Sequence, residues 1–161
     1  MPAATSRPMP RIRSKNKTLA AWLAFVGGTL GLNRFYLYGL GDLWGWLHPL
    51  PTALGLWGLE RMQSLGQDDA LSWLLLPLLG VQIAQTCLTA IVYGLKTPAA
   101  WNARHNPTLA PDDAAGQTGW PTIGAIVFSL LIGAVGLMSA LAISFEHYYE
   151  DQVRAGLELS Q

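Results

Sequence analysis

Charge is what this sequence has least of. Asp, Glu, Lys and Arg make up 12% of its 161 residues, about half the share found in an ordinary soluble domain. Cysteine is nearly absent: Cys87 stands alone, which excludes a disulfide framework. Catalytic signatures are missing too. The chain has no Gly-x-Ser-x-Gly, no His-Glu-x-x-His and no phosphate-cradling glycine loop. Its three histidines, His48, His105 and His147, have no ligand-like spacing to one another or to Cys87, so no zinc site is expected. The expectation is a protein without metal, without cofactor and without enzymatic activity.

Carboxylates are absent from the first 17 residues, where Arg7, Arg11, Arg13, Lys15 and Lys17 hold five of the ten Lys and Arg. Beside apolar runs such a cluster sets membrane orientation more often than it binds nucleic acid. No nucleic-acid partner is expected. Residues 1–17 read as a basic, disordered cytoplasmic tail.

What is present is apolar: hydrophobic residues are 51% of the chain, with seven tryptophans, and the mean hydropathy is positive. Crossing a hydrocarbon core takes about 20 apolar residues. Leu71–Leu95 supplies 25 and Trp120–Phe145 supplies 26, neither with an ionisable charge. Residues 71–95 and 120–145 are therefore the third and fourth predicted spans. Thr18–Leu32 is uncharged but gives only about 22 Å of helix. Leu43–Leu59 is interrupted by Pro49 and Pro51, which delay or kink a helix. These two runs, within residues 18–62, read as a helical hairpin of short or tilted arms. Residues 96–119 form a polar loop, with Trp101 and Trp120 expected at the membrane interface. Residues 146–161 form a polar cytoplasmic tail with a short surface helix.

The predicted fold is thus an all-α integral membrane protein with four transmembrane helices. Placing the N-terminus inside leaves seven cations inside and only Arg34, Lys96 and Arg104 outside. That fits the positive-inside rule with both termini cytoplasmic.

Two motifs carry further expectations. Gly27 and Gly31 form a small-xxx-small step, as do Gly41 and Gly45, and such steps let membrane helices approach closely. Gln82, Gln85, Thr86, Thr89 and Tyr93 follow helical spacing and share one face of the third span. Interhelical hydrogen bonding is the favoured role for that face. A polar path for a small solute or ion is the alternative, although no acidic residue lies among the five. Glu60-Arg61 and Asp68-Asp69 read as solvated helix ends.

The segment Gly27-Gly28-x-x-Gly31-x-Asn33-Arg34-Phe35-Tyr36-Leu37, preceded by Lys15-x-Lys17-Thr18, resembles the TM2 domain. That module is two transmembrane helices joined by a short turn. Gly55-Leu56-Trp57-Gly58-Leu59-Glu60 is similar to a later family feature. Tyr38 departs from the pattern, which has Gly directly after Leu, and so do the two prolines of the second arm. The resemblance covers about residues 15–62. It implies a multi-pass membrane protein of a bacterial inner membrane and implies no agreed activity. Within the motif, Arg34 is expected to end the first helix and pair with Asp42, and Asn33 to terminate it in a left-handed conformation. The partners expected are the lipid bilayer and a second copy or another membrane protein.

Overall fold

The computed structural model describes residues 14–66 and 69–160. All regular structure among them is helical. The helices are α1 (Lys17–Gly27), α2 (Leu32–Tyr38), α3 (Leu43–Leu47), α4 (Pro49–Leu65), α5 (Ala70–Leu95), α6 (Pro98–His105) and α7 (Trp120–Leu159).

Among the described residues, α5 and α7 are the two helices long and apolar enough to cross a membrane. They run antiparallel as one pair, and glycines set their separation. A Cβ on Gly133 would lie 2.7 Å from the Cβ of Cys87, and one on Gly80 would lie 2.5 Å from the carbonyl oxygen of Gly136. Backbones this close gain dispersion contacts that bulkier residues would prevent. Four transmembrane helices, expected from the sequence, reduce to two helices that meet the length. The front half breaks into shorter pieces, and glycine is the reason.

Helix α1 starts where the Asn16 side chain accepts the Leu19 N–H at 3.1 Å, an N-cap that satisfies one orphan donor. Its Ala20, Ala21 and Ala24 are fully buried, a small-residue face laid against α5 and α7. It descends from Lys17, whose Nζ donates to the Lys96 carbonyl, to Gly28, packed on Thr86 halfway along α5. There it stops, after 11 residues. A 3-10 turn at Gly28–Leu30 leads to Gly31 at φ 76°, a left-handed conformation that costs other L-residues about 1–2 kcal/mol. Helix α2 then climbs back. The Tyr36 hydroxyl accepts the Asn16 N–H at 2.8 Å, and the Tyr36 carbonyl accepts Lys15 Nζ at 2.7 Å. The 18–32 run is therefore one limb of a half-depth hairpin that leaves by the end it entered.

The left-handed residue is Gly31, whereas Asn33 lies inside α2. Arg34 likewise does not end the first helix; it sits in the returning one. Helices α3 and α4 make the traverse to the opposite end. Thr52 Oγ1 donates to the Thr29 carbonyl, Gly55 meets Leu79 and Gly58 meets Leu75. Their boundary falls at His48, before Pro49, whose missing N–H suits the first turn of α4.

Three further expectations change. Lys15 and Lys17 are not part of a free tail: Lys17 opens α1 and is fully buried. Trp101 is not at an interface. It is fully buried, and its indole donates to the Lys15 carbonyl at 2.7 Å. Residues 146–159 form no separate helix, because α7 runs unbroken for 40 residues. The 96–119 loop contains α6 and packs around residues 15–17, so those residues and the loop share one end of the α5–α7 pair. The end of α7 lies at the other, where Trp73 stacks on His147. The expectation that both termini lie on one side, opposite this loop, does not match that arrangement. Residues 1–13, the rest of the expected tail, lie outside the described residues.

Candidate functional site

The segment from Gly27 to Trp46 folds into a tight set of backbone and aromatic contacts. Gly27 packs on the side chain of Leu32, and Gly31 packs on the carbonyl of Gly45. Phe35 lies over Gly45, 5.0 Å from the ring of Trp46. Leu37 is buried against Ala20 and Trp101. Asn33 is buried with its Oδ1 unpartnered and its side chain within reach of the Tyr93 hydroxyl.

Arg34 and Asp42 form the expected pair, a two-pronged one. Nε donates to Oδ2 at 2.5 Å and Nη2 to Oδ1 at 3.1 Å. Asp42 also caps α3 by accepting the Gly45 N–H at 3.1 Å, and the guanidinium lies over the Tyr38 ring at 5.2 Å. The same construction recurs at the opposite end. Arg61 donates twice to Asp69, at 3.0 and 2.8 Å, and lies over Trp57 at 5.4 Å. Asp69 caps α5 through Ser72. In each case an arginine is tied to an aspartate eight residues on, and the aspartate starts the next helix. Hydrogen bonds from these arginines hold both carboxyls below the usual carboxylate range. Asp69, expected to be a solvated helix end, is in fact half of a clamp. The repeated spacing, 34 to 42 and 61 to 69, was the signal that could have revealed it.

A second cluster closes the end where Lys15 lies. Asn106 accepts the Lys15 N–H at 2.7 Å and donates to the Lys15 carbonyl at 3.1 Å. Buried Asn102 holds the carbonyls of Ala110, Pro111 and Asp113. His105 packs against Trp101 with the rings tilted and their centroids 4.3 Å apart, and its Nε2 has no partner. Burial, aided by Lys96, Arg104 and Lys15 nearby, pushes its pKa down to about 4. Asn102 and Asn106 were not singled out from the sequence. Their spacing of four, which puts two amides on one helical face, was the available hint.

The polar residues of α5 divide. Gln82 donates to the His48 carbonyl at 3.2 Å, an interhelical bond of the expected kind. Thr86 sits under Gly28 and bonds back to Ile83. Tyr93 packs edge-on against Trp101. Gln85 and Thr89 face outward and bond only to each other within α5. The five therefore do not converge on one passage. Among the described residues no group of three His, Cys, Asp or Glu could hold a metal. The arrangement positions backbone and closes turns.

Comparison with family models, curated proteins and solved structures returns no match. The resemblance to the TM2 domain therefore rests on the residues quoted above.

Proposed function

We propose that the protein is a multi-pass membrane protein with a TM2-like front half. Its role is to pack with itself or with a membrane partner, and it is not an enzyme. The observation behind the membrane reading is the outer surface of α5 and α7. Leu74, Leu88, Leu130, Leu131, Val135 and Met138 are all more than half exposed. A water-soluble monomer rarely leaves contiguous apolar area on this scale uncovered, whereas lipid covers it without cost.

In this reading α5 and α7 cross the bilayer, the kinked α3–α4 pair crosses with them, and α1–α2 re-enters from one side. At the turn of the half-depth hairpin Gly28 and Gly31 are buried in protein while Leu30 and Leu32 turn apolar side chains outward, which suits non-helical backbone at membrane depth. Three crossings put the start of α1 and the end of α7 on opposite sides. Of the seven described Lys and Arg, five (Lys15, Lys17, Arg34, Lys96 and Arg104) belong to the Lys15 end. The opposite end carries Glu60, Asp69, Glu146, Glu150, Asp151 and Glu158. The positive-inside rule makes the Lys15 end cytoplasmic, and the TM2 resemblance points to a bacterial inner membrane.

Reporter fusions test this arrangement. A fusion at Ala110 is expected to report cytoplasm, and fusions after Gly66 and at Ser160 the outside. An external Ala110, or Ala110 and Ser160 on one side, refutes it. Extraction by alkaline carbonate would refute membrane integration itself.

A further inference from the structure

We infer that a second copy of this chain docks on the groove between α5 and α7, about a two-fold axis, with the Gln85 amides meeting across it. The inference rests on the membrane reading above. The groove is open, apolar and about 440 Å³ in volume. Ala84, Gly133 and Ala134 form its floor and wall, and Leu88 and Leu130 stand at its edges, about three-fifths exposed. Small residues beside projecting leucines offer both the hole and the knob that helix packing in lipid uses.

One polar group exposed in this groove lacks an adequate partner, and it decides what occupies the groove. Gln85 lies fifteen residues from the start of α5 and ten from its end, so it sits near mid-depth and faces outward. Its amide makes one long bond, 3.4 Å to Thr89 of its own helix. An acyl chain would fill the apolar volume and leave this amide unmet in hydrocarbon, where unpaired polar groups are costly. A primary amide donates and accepts at once. It is therefore self-complementary across a two-fold axis, where each copy presents the same patch. The groove has no charged lining residue, so two copies meet without repulsion.

The test is disulfide trapping in native membranes. In a Cys87→Ala background, Leu88→Cys is expected to give an oxidised dimer. Val26→Cys, exposed on α1 away from the groove, is expected to give none. Adding Gln85→Leu should lower dimer yield roughly tenfold, the loss of two reciprocal amide bonds at strengths found between membrane helices. Ala134→Trp, which fills the groove, should abolish the dimer. Trapping at Val26→Cys alone, no trapping anywhere, or a cross-linked band containing a different protein overturns the proposal. So does dimer yield unchanged by Gln85→Leu and Ala134→Trp. Carbonate extraction of the same membranes keeps the two ideas apart. Protein retained in the membrane but never trapped as a dimer refutes the groove and spares the membrane reading.

Discussion

Gly31 makes the sharpest single test of the half-depth hairpin. Its φ of 76° is left-handed, and a Cβ there would overlap the carbonyl oxygen of Gly45, with the Gly45 carbon 3.0 Å away. These obstacles are backbone atoms and cannot rotate aside. For Gly31→Ala the conformation costs about 1–2 kcal/mol, and forcing α2 from α3 adds about 1–3 kcal/mol of overpacking. Two neighbouring glycines separate the terms. Gly39, at φ 85° with nothing within 4 Å of its Cβ position, isolates backbone strain, about 1–3 kcal/mol. Gly41, open and without positive φ, should change by no more than about 0.5 kcal/mol. Gly31→Asn closes the argument, because Asn tolerates the left-handed region but still carries a Cβ. Thermal unfolding in detergent reads the series, at roughly 2–4 °C per kcal/mol for a chain of this size. Gly31→Asn melting like wild type would refute the claim that close backbone approach fixes this turn.

The two clamps should behave as coupled pairs. Arg34→Met should destabilise markedly and Asp42→Asn less, since Asn still caps α3, and the double variant should lose less than the two single losses combined. A thermal-melt cycle in which the losses simply add would count against the pair. Trp101→Ala removes a fully buried indole and should cost about 3–5 kcal/mol. It should also expose Lys15 and Lys17 to trypsin, and unchanged cleavage kinetics would contradict the packing of residues 15–17 on α6. His105 predicts a pH dependence. Its pKa of about 4 lies below the ordinary value of about 6.5, so the unfolded chain binds more protons between those limits. Stability should therefore be flat above pH 7 and fall as pH drops from about 6.5 to 4. The Asp42 and Asp69 contributions, from carboxyls held below their ordinary value, begin to be lost as pH falls through that ordinary value of about 4 and go on falling below it. A His105→Asn variant with the same slope in melting temperature across that window would show that another group is responsible.

The sequence made the rear half largely legible and the front half less so. Leu71–Leu95 and the start at Trp120 match α5 and α7 closely, because long uncharged runs leave little choice of structure. The end of α7 was misplaced because hydropathy falls at Glu146, while Glu, Gln, Arg, Ala and Leu go on favouring helix. Gly27 and Gly31 read as a packing step, yet with Gly28 they hold three glycines in five positions. They are the break itself, and a glycine just past an apolar helical run is also a stop signal. Of the motif residues, Arg34 and Asp42 pair as their spacing suggested. Gln85 and Gln82 separate because three residues of helix are enough to turn one inward and the other out. Composition places Trp101 at an interface, but burial depends on what packs over it, and Lys15, whose carbonyl takes the indole N–H, is 86 positions away in the chain.

Helix α7 has a mechanical consequence. It is one uninterrupted rod, held along α5 through Gly133, Gly136 and Ala140 and, further on, by Trp73 stacked on His147, and it continues past its partner with Glu150, Asp151 and Glu158 on its free length. From His147 to its last residue, Leu159, is roughly 18 Å at 1.5 Å per residue. A tilt of about 10° at the last contact would sweep that acidic tip through about 3 Å. A change of packing at that contact is thereby magnified at the helix's far end, as a lever magnifies motion at its fulcrum.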